Sequence, residues 1–144
     1  MRIAVDTNVL VRYLTWDDEA QAIEAANAIE GADTIVVPTI VLCDLVWVLK
    51  RAYRYAGPEI IQILRRLAAV RAVEIERSAA EAGIAMLERG GDSADGLVRY
   101  DADRAKCDRL VTFDQGFARS SVQTRLRFWE LRPRRDQTGQ VLQG

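Results

Sequence analysis

The chain has 144 residues, 49% of them hydrophobic and 28% charged, with a formal net charge of −1 and a sequence pI of about 5.6. That is one domain's length, with enough apolar residue for a core without staples and no global positive field to draw nucleic acid, so any such function rests on local patches. Histidine is absent and cysteine occurs twice, at Cys43 and Cys107, which excludes histidine triads, bases and metal sites, and argues against a disulfide framework or zinc site.

In chain order, Arg2–Val5 reads as a buried strand and Asn8–Leu14 as a short helix. Asp17 and Asp18 are capping residues for a second helix through Ile29, stopped by Gly31. Thr34–Val37 is a second strand. Pro38 suits the first turn of the next helix, and Val41, Leu42, Leu45, Val48, Leu49 and Ala52 recur at helical spacing over Thr39–Tyr55. The stretch "YAGPE" breaks that pattern, and Pro58 restarts a helix to about Val70. Val73–Ile75 is a strand. Ser78 and Glu81 have capping-box spacing for a helix to Arg89. After the turn "GGD", Ser93–Cys107 reads as a helix, Arg109–Phe113 as a strand, Gln115–Ala118 as a short helix and Leu126–Leu131 as a last strand. From Pro133 the chain is a polar tail, predicted to fray.

Strands and helices alternate throughout. This predicts an α/β fold with a central, mostly parallel sheet and helices on both faces. One domain is expected over residues 1–132, with a tail at 133–144. No apolar run is long enough to span a bilayer and the chain opens directly into a strand, so a cytoplasmic location is expected.

Open parallel sheets carry their sites beyond the carboxyl ends of the strands. Asp6 ends "RIAVD" and Asp114 ends "RLVTFD". Asp95 lies near the start of the helix after "GGDS", and Asp44 sits mid-helix between Cys43 and Leu45. Each has an ordinary role available: Asp6 and Asp114 as helix caps, Asp95 at a helix dipole, Asp44 on a solvated face, Asp92 in a turn. Together, four carboxylates from separated segments are expected to converge on one pocket. Such a pocket, without basic neighbours, raises its own pKa values or recruits a cation. Oxygen ligands alone select Mg²⁺ or Mn²⁺, and the chemistry that follows is metal-assisted phosphodiester hydrolysis with no protein nucleophile.

The segments "VDTNVLVRYL", "PTIVLCDLVWVL" and "GDSADGLVRYDADRAKCDRLVTFDQGF" span nearly the whole chain, in order. In these the sequence resembles the PIN domain family, and within it the VapC-type toxins of bacterial toxin–antitoxin pairs. The resemblance implies a compact α/β, metal-dependent endoribonuclease. It maps the family's acids onto Asp6, Asp44, Asp95 and Asp114, with Asp6, Asp95 and Asp114 on the metal. Asn8 and Thr112 fall at supporting polar positions, and Asp92 at an auxiliary acid. It also implies an RNA substrate, a cognate antitoxin and a homodimer. Two departures stand out. Asp44 occupies a position where the family usually has Glu, and "SADG" stands for the common "FADA", with Ser93 and Gly96 weakening the local helix.

Arg12, Arg51, Arg54, Arg99 and Arg104 are candidates for phosphate contact near the acids, against a background of solvated helix faces. Trp16 and Trp47 are candidates for base stacking, with core or interface the stronger reading for Trp47. Two competing readings remain. One is a phosphotransferase with Asp6 as nucleophile, which Asn8 argues against. The other is a catalytically weak PIN fold that binds RNA or protein, prompted by Asp44.

Overall fold

A computed structural model of the chain describes residues 1–120 and 127–130. It falls into two compact units, Met1–Val98 and Arg99–Gly144. The expected boundary between domain and tail lies outside the described residues.

The first unit is built as strand, two helices, strand, two helices, strand, helix. Its elements are β1 (Arg2–Ala4), α1 (Thr7–Thr15), α2 (Glu19–Glu30), β2 (Thr34–Val36), α3 (Thr39–Arg51), α4 (Gly57–Ala69), β3 (Val73–Glu74) and α5 (Arg77–Glu88). The helix α6 (Ser93–Arg104) begins in it. The strands form a parallel sheet in the order β1-β2-β3, with Ile3 opposite Ile35 and Ile35 opposite Val73. Two helices between successive parallel strands give each crossover the length it needs.

One core fills this unit. Val5, Leu10, Ile35, Val37, Leu45, Leu49, Ile60 and Ile84 are all buried in it. The sequence pattern dictates this: α3 buries Val41, Leu42, Leu45, Val46 and Leu49, which recur at three and four residues. On α4, Ile60 and Leu64 do the same one turn apart.

The second unit contains β4 (Arg109–Thr112), α7 (Gln115–Arg119) and β5 (Arg127–Glu130). β4 and β5 pair in parallel, with Leu110 opposite Phe128 and Thr112 opposite Glu130. The mixed α/β class and parallel pairing expected from the alternating pattern are present, in a three-stranded and a two-stranded sheet.

Several helix ends follow the sequence signals. Asp18 caps α2, its carboxylate accepting from Gln21 N at 3.0 Å. Pro58 lies in the first turn of α4, and Glu59 Oε2 accepts from Ala56 N at 2.7 Å. Others differ. The helix expected to reach Tyr55 ends at Arg51, and Arg54 turns the chain with φ of 57°. Tyr55 N then donates to Leu49 O, closing the helix end. The Ser78–Glu81 capping box does not form, because the N-cap of α5 is Glu76, two residues earlier. At α6, Lys106 adopts φ of 57° and Cys107 N returns to Ala102 O, so the helix stops at Arg104 instead of Cys107.

Gly96 has a packing reason that the sequence conceals. A Cβ there would lie 2.3 Å from Ala82 O and 3.1 Å from Gly83 Cα, so α6 rests directly on the α5 backbone. Ser93, only 3% exposed, lies against the same Gly83. Small side chains at 93 and 96 are what this approach requires. Gly96→Ala should therefore destabilise the fold by about 1–3 kcal/mol despite its better helix propensity. A urea titration checks this, and an unchanged or raised midpoint would contradict the packing argument.

Candidate acidic site

Asp6 follows β1 and is the N-cap of α1. Its backbone is extended, and Oδ1 accepts from Val9 N at 3.0 Å. The side chain is exposed, and Oδ2 makes no hydrogen bond among the described residues. Asp6 and Asn8 stand in the wall of an open pocket of about 360 Å³ between α1 and α2.

Asp44 is exposed on α3, opposite the buried Leu42, Leu45 and Val46. The apolar neighbours in sequence do not bury it, since they belong to the helix's other side. Asp92 precedes α6, and its Oδ1 accepts from Ala94 N at 3.0 Å. Asp95 lies in the first turn of α6 and is half-buried. The Cys43 thiol reports on this region. Burial raises its pKa first, and the negative charges of Asp92 and then Asp44 raise it further. Asp44 is the chain neighbour of Cys43, so it is the Asp92 charge that links the segment before α6 to α3.

In the second unit, Asp114 is the N-cap of α7, with Oδ1 accepting from Phe117 N at 2.9 Å. Thr112 Oγ accepts from Asp114 N at 2.9 Å, which holds the backbone of that acid. Among the described residues, no three His, Cys, Asp or Glu side chains lie together as a ready cage for a metal ion. The first unit brings Asp44 and Asp92 to one thiol, and it holds Asp6 at the end of β1. The donor chemistry fits a hard divalent ion: carboxylate oxygens, exposed or half-exposed.

The candidate basic residues have distinct surroundings. Arg12 Nη1 bridges both oxygens of Asp17 at 2.8 and 2.7 Å, and Arg12 Nε donates to Gln21 Oε1 at 2.6 Å. The Tyr53 hydroxyl donates to Asp17 and accepts from Arg12. Arg99 is 4% exposed, with Nη2 donating to Ser120 O and Oγ and its guanidinium 5.7 Å from the Phe117 ring centroid. Buried in this way, it serves the packing of the second unit and does not present itself to a phosphate. Arg51 and Arg54 are exposed. Arg104 lies 3.8 Å from Asp101. Trp47 is 59% exposed and so is not a core residue, and Trp16, at the left-handed end of α1, is 53% exposed.

The Arg12–Asp17–Tyr53–Gln21 network was not visible in the sequence. Tyr53 lies in the turn just after α3, and only the fold brings it to Asp17. The Tyr53 hydroxyl, with help from Thr15 and Arg12, lowers the Asp17 pKa to about 2 from 3.8. The sign follows. A lowered folded pKa gives stability that is full above the unfolded value and is lost as pH falls through about 2. Asp17→Asn should therefore cost stability at neutral pH, with the gap from wild type closing between about pH 4 and pH 2. Urea midpoints measured across that range check it, and a gap independent of pH would contradict it.

The chain matches the PIN domain over residues 3–122 and belongs to the PIN domain family. PIN domains are in general metal-dependent nucleases. No curated protein matches the chain.

Proposed function

We propose that this PIN domain is a Mg²⁺- or Mn²⁺-dependent endoribonuclease, the toxin of a VapC-type toxin–antitoxin pair. The observation that carries the reading is Asp6. It stands at the carboxyl end of β1 in an open pocket, in a family of nucleases, with one oxygen tied to the α1 backbone and the other uncommitted.

Asp6, Asp95 and Asp114 would hold the ion, with Asp44 as a fourth acid of the site and Asp92 adding charge, a set that rests on the resemblance to the family. When bound, the ion activates water and stabilises charge on the phosphate. The chain's own contribution is orientation. The Val9 N–H fixes the Asp6 carboxylate, and Thr112 fixes the backbone of Asp114. Asn8, beside Asp6 in the same pocket wall, would orient the ligand carboxylate or a water.

Protein partners are part of the proposal. Ile40 is 73% exposed and Trp47 59%, and with Asp44 they lie at four- and three-residue steps along α3. A homodimer or an antitoxin would cover such apolar surface. The second reading, a PIN fold that binds without cutting, is favoured by Asp44 alone, which is a methylene shorter than Glu.

Induced expression of the chain in a bacterium tests the toxin reading. Growth should stop and RNA fragments accumulate, and neither should occur with Asp6→Asn. Unimpaired growth with intact RNA at high expression would overturn it.

A further inference from the structure

The pocket between α1 and α2 has more built into it than Asp6. Its apolar wall comes from Val9, Ala25 and Ala28, and Arg12 and Glu24 also line it. At about 360 Å³ it falls within the range of small-ligand pockets.

Arg12 is fixed before any ligand arrives. Of its five N–H donors, Nε is engaged by Gln21 and Nη1 by Asp17 and Tyr53. Nη2 makes no hydrogen bond among the described residues and is not sealed from solvent. A held guanidinium with one free nitrogen is a directed donor. Its charge is already balanced by Asp17, so it is poorly suited to attracting a phosphate. Glu24 and Asp6, carboxylates in the same lining, would repel one. The pocket therefore suits an uncharged group that offers acceptors to Arg12 and donors to Glu24.

We propose that this pocket is a base-reading subsite that seats one unpaired guanine of the RNA strand. The proposal rests on the nuclease reading for its substrate. Guanine alone among the four RNA bases offers O6 and N7 as adjacent acceptors, together with N1–H and N2–H₂ as adjacent donors. Arg12 Nη2 donates to the acceptor edge. Glu24, which has no hydrogen-bond partner or ion pair among the described residues, accepts from the donor edge. Arg and acidic side chains read bases in this manner, and unpaired RNA exposes both edges. Val9, Ala25 and Ala28 supply the apolar surface. With Asp6 in the same wall, a seated guanine adjoins the scissile phosphate and sets the cleavage sequence. Asp17 and Tyr53 act through Arg12 as positioning residues.

The test is amide chemical-shift titration of the full chain, without metal, by GMP, AMP, CMP and UMP. All four carry the same phosphate, so any difference reports the base. GMP should shift the Val9, Ala25 and Ala28 amides at about tenfold lower concentration than the others, the size of one good two-point base contact. The preference should vanish in Glu24→Gln and weaken in Arg12→Lys, with both variants keeping the wild-type spectrum elsewhere. Equal shifts by all four nucleotides, or none at these residues, would overturn the proposal. So would shifts there from acetyl-arginine amide but not GMP, which would make the pocket a seat for a basic peptide. The outcomes separate the two readings. Guanine selectivity without RNA cleavage would remove the nuclease and keep the base site, while cleavage without selectivity would do the reverse.

Discussion

Asp6→Asn lowers RNA cleavage by at least about 10²-fold and leaves the fold intact, the size expected when a reacting group loses its positioning or charge. The variant separates the capping role of Asp6 from the metal-ligand role proposed for it. As an N-cap, Asn is as good as Asp, so the bond from Val9 N survives and α1 starts where it did. As a metal ligand, Asn lacks the charge that holds a hard cation. Stability should stay within about 0.5 kcal/mol of wild type, while Asp6→Ala, which removes the cap as well, should cost about 1 kcal/mol. Cleavage rates with urea midpoints for both variants check this. Retained cleavage in Asp6→Asn would take Asp6 out of the mechanism and leave it a capping residue.

Asp44→Glu raises the cleavage rate by about 10- to 100-fold. A displacement of about 1 Å at a reacting group can cost that much, and one methylene restores a similar reach. The site tolerates the change. Asp44 is exposed and makes no hydrogen bond or ion pair among the described residues, so the longer side chain displaces nothing. The folding free energy should move by less than about 0.5 kcal/mol, as for other exposed positions. Single-turnover cleavage at saturating Mg²⁺ measures the effect. An unchanged rate would show that Asp44 does not reach the ion, and a lower one would show that the site is built around the shorter acid.

Local chemistry was legible in the sequence. Asp18 before α2, Pro58 in α4 and the acids at the ends of β1 and β4 act within a few residues of themselves, and so sequence alone locates them. The ends of α3 and α6 were not legible. They depend on Arg54 and Lys106 taking the left-handed region, which neither residue type announces. Asp44 shows the limit of periodicity. α3 is apolar on more than one side, with Ile40 and Trp47 exposed, so flanking hydrophobic residues could not tell which face the acid takes. Gly96 reads as a weak point in a helix until Ala82 is set beneath it. Arg12 reads as a free cation until Asp17, Gln21 and Tyr53 close around it, and only tertiary structure brings Tyr53 there. Arg99 likewise reads as a surface charge, and the partners that bury it lie about twenty residues on, at Phe117 and Ser120.

The central claim is that carboxylates led by Asp6 turn a bound divalent ion on RNA. The measurement that tests it most directly is cleavage of a mixed bacterial RNA pool by the purified chain, free of any partner protein. It is run in Mg²⁺, in Mn²⁺ and in EDTA, with Asp6→Asn alongside. Discrete cuts in either metal, absent in EDTA and absent in the variant, are the predicted result. Cuts that persist in EDTA, or that the variant makes equally well, would contradict it.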